Sequence, residues 1–71
     1  MSILKVIEVM SNSTTSWEDA AQQAVAEASK TVKNIRSVYI HEQTATVADG
    51  EITEFRVNVK LTFEIQHSDK I

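Results

Sequence analysis

The stretch EFRVNVKLTFEI, residues 54–65, places an apolar side chain at every second position. A β-strand directs alternate side chains to opposite faces of its sheet, so this pattern predicts a strand with one face in a core and the other outside it. The apolar positions are Phe55, Val57, Val59, Leu61, Phe63 and Ile65, and the positions between them carry Arg56, Asn58, Lys60, Thr62 and Glu64. The rest of the chain must therefore supply a second layer for the apolar face to cover.

The length and composition predict a single domain over residues 1–71 that needs additional support. A chain of this size buries only about 60% of the surface that its unfolded form exposes, so a lone copy is marginally stable. The chain has no cysteine, which excludes disulfides and thiolate metal sites. Self-association is the favoured support, and a metal bound through oxygen atoms is the alternative.

The charge balance restricts the class of partner. A formal net charge of −3 argues against sequence-independent nucleic-acid binding, which requires Lys and Arg to neutralise phosphates. The first ten residues, MSILKVIEVM, are too short and too charged for a signal peptide or a membrane span. These features predict a soluble, cytoplasmic protein that does not bind membranes.

The stretch before residue 36 reads as a strand followed by a helix. Residues 3–10, ILKVIEVM, predict the first strand. Apolar residues then recur at helical spacing, at Trp17, Ala21, Ala24, Ala28, Val32 and Ile35. This spacing predicts a helix over residues 16–33, about 27 Å long. Thr15 followed by Glu18 fits a capping box. The alanine-rich stripe favours a helix packed closely on its own sheet over a helix face that binds a partner.

Two more strands complete the predicted fold. Residues 35–47 predict a second strand, and Asp49-Gly50 within residues 48–51 predicts a tight hairpin into the third. In an antiparallel sheet this order places the third strand in the middle. We therefore predict an α+β fold of β-α-β-β order, with strand order 1-3-2 and one helix. Strand two is then a long open edge, which favours a role in assembly. Residues 66–71 are predicted to fray.

Several blocks of the chain resemble the dodecin family. They are KVIEV at 5–9, TSWEDAAQQAVAEA at 15–28, TVKNIRS at 31–37 and FRVNVKLTFEI at 55–65, and the resemblance covers residues 3–66. It implies a hollow homododecamer in which each three-stranded sheet wraps around its helix. It also implies non-catalytic flavin binding, with pairs of riboflavin or FMN molecules stacked between symmetry-related subunits.

The chain departs from the flavin-binding pattern at two positions. The resemblance implies a strand-two tryptophan that covers the flavin ring and a strand-three glutamine that bonds its polar edge, and these positions hold Ser37 and Arg56. The departures resemble a dodecin-like branch for which calcium has been proposed as the ligand. We therefore expect the protein to store or sequester a small ligand, and the family resemblance implies that this ligand is a flavin. A shell that binds calcium or another divalent ion is the alternative, as is a purely structural assembly.

The face away from the helix is the predicted ligand surface. It is expected to carry Ser37, Tyr39, His41 and Gln43 of strand two beside Arg56, Asn58 and Lys60 of strand three. The predicted ligand contacts are Ser37, Tyr39 and Arg56, with Arg56 directed at an anion or a ring carbonyl. The alternative is a solvated face or a contact with the next subunit.

Glu42 is the candidate metal ligand, although alternation predicts that its side chain leaves the opposite face from that of His41. It occupies a position at which some dodecins hold a divalent ion with a carboxylate. The alternative role is an edge-strand charge that prevents wrong pairing.

No residue pattern predicts catalysis. Ser37 and His41 are four residues apart on one strand, about 13 Å at strand rise, whereas a nucleophile and its base must come within about 3 Å. We therefore predict that the protein is not an enzyme.

Overall fold

The computed structural model describes residues 3–65, which form one three-stranded antiparallel sheet with a helix on one face. The elements are β1 (Ile3–Ser13), α1 (Trp17–Ala28), β2 (Ile35–Ala48) and β3 (Glu51–Ile65). β3 lies between β1 and β2 and runs antiparallel to both. The predicted α+β class and the strand order 1-3-2 are confirmed. The predicted fraying of residues 66–71 lies outside the described residues.

The core confirms the alternation of β3. Val57, Val59 and Leu61 are fully buried, with relative exposures of 0%, and they pack against α1. The helix contributes only small side chains to this contact, Ala20, Ala21 and Ala24. Because alanine ends at Cβ, the helix backbone lies close to β3, and each buried Val or Leu contributes about 1.5–3 kcal/mol. Within residues 3–65, no helix is long and apolar enough to cross a membrane.

The first and third strands are longer than predicted. β1 continues past residue 10 to Ser13, because Ser11, Asn12 and Ser13 pair with Val57, Arg56 and Phe55. Serine and asparagine are weak strand formers, and pairing with a neighbouring strand overrides that weak preference. β3 begins at Glu51 rather than at residue 54. As a result, β2 and β3 extend beyond the end of β1 as a two-stranded hairpin arm, residues 46–54.

The hairpin confirms the Asp-Gly signal. Asp49 has φ 53° and Gly50 has φ 78°, so both residues of the two-residue loop are left-handed. A type I′ turn requires this combination, and its twist matches that of the flanking strands. The arm therefore continues the sheet, with one register shift between Thr46 and Val47.

The helix is shorter than predicted. It ends at Ala28 rather than at residue 33, so Val32 and Ile35 of the predicted stripe lie in the connection and in β2. The Ser29 hydroxyl donates to the Val25 carbonyl at 2.7 Å, and Asn34 reverses the chain with φ 63°. Serine competes with the backbone for hydrogen bonds and β-branched residues are weak helix formers, so the segment after Ala28 does not continue the helix.

The helix begins with a different cap from the one predicted. The N-cap is Ser16 rather than Thr15, and its hydroxyl accepts a hydrogen bond from the Asp19 backbone N–H at 2.9 Å. The buried Ser13 hydroxyl donates to Asp19 Oδ2 at 2.6 Å. This bond, with a second from Gln23, holds the pKa of Asp19 below its ordinary value. The end of β1 is thus tied to the first turn of α1.

Trp17 packs on its own sheet, as the alanine stripe predicted. Its ring meets Phe55 edge to face, with centroids 4.9 Å apart and planes at 74°. Its Nε1 donates to the Thr44 carbonyl at 2.9 Å. The start of α1 is therefore fixed at the base of the hairpin arm.

Candidate functional site

The outer face of the sheet, the face turned away from α1, is organised in rows across the three strands. Each row takes one residue from β1, β3 and β2 in turn. The rows are Val6–Thr62–Ser37, Glu8–Lys60–Tyr39, Met10–Asn58–Glu42 and Asn12–Arg56–Thr44. The last two rows contain the Glu42 carboxylate with the amide and hydroxyl oxygens of Asn58, Asn12 and Thr44.

A β-bulge at His41 decides which β2 residues reach this face. Ile40 pairs with Val59 and Glu42 pairs with the next residue of β3, Asn58, so His41 is an extra residue without a partner in the ladder. Such an insertion reverses the alternation of the strand beyond it. The prediction that Gln43 lies on the outer face, and Glu42 on the opposite one, is therefore wrong. Gln43 faces Val57 on the helix side.

His41 itself stays on the outer face and reaches across β3. Its Nε2 lies 2.8 Å from Oε2 of Glu8 on β1. The Tyr39 ring is stacked near the His41 ring, with centroids 6.0 Å apart and planes at 24°. Tyr39 is highly exposed, so the predicted ligand contact is accessible in the single chain. The Nε2 atom of the His41 imidazole is therefore already paired with the Glu8 carboxylate.

Below the bulge, an outer cleft of about 230 Å³ is lined by Met10, Glu42, Thr44, Arg56 and Asn58. The Asn58 amide Nδ2 donates to Glu42 Oε1 at 3.0 Å. Since an ionised carboxylate only accepts hydrogen bonds, this contact identifies the nitrogen end of the amide. The other end, Asn58 Oδ1, is buried and has no hydrogen-bond partner among residues 3–65. Buried acceptors usually have a partner, and a water, a donor or a cation can supply one at this atom.

The cleft has a mixed charge. It contains the Glu42 carboxylate and the Arg56 guanidinium, whose Nε donates to Asn12 Oδ1 at 2.8 Å. In the part of the chain that the structure describes, no three His, Cys, Asp or Glu residues gather into a metal-binding group. One chain therefore offers the Glu42 carboxylate with the oxygens of Asn58 and Thr44, fewer than the six to eight that calcium takes.

The predicted ligand contacts are not adjacent within one chain. Ser37 lies opposite Thr62, and Arg56 precedes Thr62 on β3 by about 20 Å at strand rise. Tyr39, opposite Lys60, lies between them. A ligand that touches both Ser37 and Arg56 must therefore lie between two copies, and that contact stays a prediction. Glu42 and Arg56, in contrast, line the same cleft.

Thr44 and Met10 are the cleft residues that the sequence pattern missed. Strict alternation placed Thr44 on the helix side, and no sequence signal marked the bulge that reverses it. Met10 read as an ordinary residue of the first strand, yet it is 65% exposed at the edge of the cleft.

Comparison with known proteins assigns the chain to a family. Residues 3–66 match the family model described as Dodecin. A protein named calcium dodecin from Mycobacterium tuberculosis (strain ATCC 25618 / H37Rv) is 39% identical over 67 residues, which are 93% of this chain and 93% of the relative. The chain belongs to the dodecin family.

Solved structures agree with this assignment. A crystal structure of calcium dodecin from Mycobacterium tuberculosis, described as a calcium-chelating immunodominant antigen with a novel calcium-binding site, superimposes with a TM-score of 0.78. It is 35% identical, and the match covers 99% of this chain and 100% of that one. A mutant of the Thermus thermophilus dodecin gives a TM-score of 0.89 at 24% identity, covering 94% of this chain and 100% of that one. The latter shows the same fold.

Proposed function

We propose that this dodecin is a non-catalytic, self-assembling protein that binds calcium at the outer cleft, with Glu42 as the charged ligand. The observation that carries the proposal is the contact between Glu42 and Asn58, whose buried Oδ1 lacks a partner among residues 3–65. A cation that binds Oδ1 would satisfy this atom, and rotation of the Asn58 amide would turn Oδ1 toward the Glu42 carboxylate. The 39% identity to a protein named calcium dodecin supports the same ligand.

The chemistry of the donors favours a hard cation. Calcium takes carboxylate, amide and hydroxyl oxygens, which are the groups that Glu42, Asn58 and Thr44 present. The chain has no thiolate, and the nearby His41 imidazole is engaged with Glu8. Zinc, which prefers sulfur and imidazole ligands, is therefore a poor match for the cleft.

The shortage of ligands within one chain supports self-assembly. Water or a second copy must supply the remaining oxygens, and both edges of the small sheet, β1 and β2, are open to pairing. A homododecamer, as the family resemblance implies, would bring copies of the cleft together around symmetry axes. Flavin is the weaker candidate ligand, because Ser37 provides no ring cover and its β3 partner, Thr62, lies six residues from Arg56.

The test begins with the mass of the assembly by light scattering and continues with calcium titration of chelator-treated protein by calorimetry. We expect saturable binding, and a melting temperature that rises with calcium and falls again with chelator. Calcium at one hundred times its dissociation constant would stabilise each site by about 2.7 kcal/mol.

Matched variants locate the site. Glu42→Gln keeps the shape of the side chain and removes its charge, so it should abolish the calcium heat. Glu18→Gln, on exposed helix surface, should leave the heat unchanged. Assembled protein that gives no heat, or an undiminished heat in Glu42→Gln, would overturn calcium binding at the cleft.

A further inference from the structure

The hairpin arm, residues 46–54, leaves an apolar pair uncovered. β1 ends opposite Phe55, so the arm has no third strand. Val47 and Ile52 pair across the arm and are 65% and 54% exposed. A two-stranded hairpin is marginally stable on its own, and packing of an apolar face against another element is its usual support.

The arm is also acidic. It carries Asp49, Glu51 and Glu54 and no lysine or arginine. Their side chains form no salt bridge with any part of the described chain. A surface that fits this arm should therefore combine an apolar floor with a basic rim.

The helix and β1 enclose such a surface. Two adjoining depressions of about 410 and 370 Å³ share Val9, Ala24, Glu27 and Lys30 and so form one groove, hereafter the α1–β1 groove. Volumes of about 300–1,000 Å³ are typical of binding pockets. The floor of the larger depression is formed by Ile7, Val9, Ala24, Ala28 and Val32.

The rim of the groove carries Lys30 and Glu27, and Lys30 can pair with an acidic occupant in place of Glu27. Lys30 lines both depressions and pairs with Glu27 at 3.1 Å, an exposed contact that is easily exchanged. Lys33 follows one residue after Val32 and makes no salt bridge within residues 3–65. Lys30 thus lines the groove, and Lys33 follows a lining residue, Val32, in the chain.

The arm cannot occupy the groove of its own chain. Trp17 fixes the start of α1 at Thr44, the base of the arm, and the far end of the helix, at Ala28, lies beside Ile7 of β1. The arm therefore extends from the Trp17 end of the helix, whereas the groove lies toward its Ala28 end. The occupant must come from elsewhere.

We propose that the arm of a second copy of this chain docks in the α1–β1 groove, with Val47 and Ile52 on the apolar floor and the arm carboxylates facing Lys30 and Lys33. This inference rests on the self-assembly proposed above and identifies the contact between copies through which it occurs. Arm and groove are different surfaces, so the contact is heterologous and repeats from copy to copy until a ring or shell closes.

A disulfide trap tests the contact directly, since the natural chain has no cysteine. Ile52→Cys combined with Thr31→Cys, which lines the groove, should give chains linked to one another after mild oxidation, seen on a denaturing gel. A disulfide forms only when the two Cα atoms come within about 7 Å. The matched control pairs Ile52→Cys with Leu4→Cys, an equally exposed position on the outer face, and should stay unlinked.

Charge reversal gives a second readout. Glu51→Lys with Glu54→Lys, and separately Lys30→Glu with Lys33→Glu, should each shift the midpoint of assembly to about tenfold higher protein concentration through like-charge contact. The variant with all four changes, or a mixture of the two double variants, should restore the midpoint. Circular dichroism confirms that each variant is folded.

The outcomes separate the two proposals. In one case the natural protein assembles while the disulfide-trap variant stays unlinked, and in another the variant with all four charge changes keeps a raised midpoint of assembly. Either result overturns the docking of the arm and leaves self-assembly in place. Natural protein that light scattering finds monomeric overturns both.

Discussion

The indole N–H of Trp17 donates a 2.9 Å hydrogen bond to the backbone carbonyl of Thr44, which joins the start of α1 to the edge strand β2. The side chain of Thr44 lines the outer cleft on the other face of the sheet. The helix cap, the base of the hairpin arm and the candidate calcium site therefore meet within a few residues of β2. A substitution at any one of these three features should therefore alter the position or stability of the other two.

We expect Trp17→Phe and Trp17→Ala to differ in their cost to stability. Phenylalanine keeps a ring against Phe55 and loses the hydrogen bond to Thr44, about 1 kcal/mol. Alanine also loses the ring and should cost about 3 kcal/mol in the free energy of unfolding. Urea denaturation followed by circular dichroism measures both variants. Equal losses would mean that the ring contact contributes little.

Asp19 should make stability depend on acid. Hydrogen bonds from Ser13 and Gln23 favour its carboxylate, so its pKa in the folded chain is below the ordinary value of 3.8. A carboxyl group with a lowered pKa stabilises the fold above its ordinary pKa, and this contribution is lost as the pH falls through the folded value. The difference in free energy of unfolding between the natural chain and Asp19→Asn should therefore become smaller below about pH 4.

The control for this pH dependence lies in the same turn. Glu18→Gln removes an exposed neighbouring carboxylate and should change stability little at any pH. Denaturant unfolding at pH 7 and at pH 3 measures all three chains. A gap between the natural chain and Asp19→Asn that is the same at both values would contradict the role given to the Ser13 bond.

Arg56→Gln should strengthen calcium binding at the outer cleft. The guanidinium shares the cleft with Glu42 and opposes a cation there, so its removal should lower the calcium dissociation constant by roughly threefold to tenfold. Arg36→Gln is the matched control, because Arg36 pairs with Glu64, at 2.9 Å, away from the cleft. Weaker binding in Arg56→Gln would show that the arginine holds an anionic co-ligand of the metal.

Flavin binding has its own mutational test. Ser37→Trp with Arg56→Gln restores the residue types that the family resemblance implies for flavin contact. In the assembled protein, the double variant should quench riboflavin fluorescence at lower concentration than the natural chain does. Ser37→Phe with Arg56→Gln shows whether any aromatic ring suffices. No gain in either variant would mean that the two positions do not share a ligand between copies.

Most of the fold could be predicted because its signals are local and repeated. The alternation through Val57, Val59 and Leu61 predicts which face of β3 is buried, since a strand has a period of two. The alanine stripe and the Asp49-Gly50 turn likewise depend on backbone geometry within a few residues. The errors fell at element ends, at Ser13 and Ala28, where contacts with distant residues compete with local preference.

The candidate site divides in the same way. Glu42 and Arg56 could be named from the sequence, because the resemblance to the dodecins marks both positions. Their meeting in one cleft could not be predicted, because it depends on a single inserted residue at His41 that reverses the alternation of β2. The sequence by itself determined the elements, their order and the buried face through short-range periodicity. Only the tertiary structure decided which polar side chains share the outer face, because strand register is set by pairing across the whole sheet.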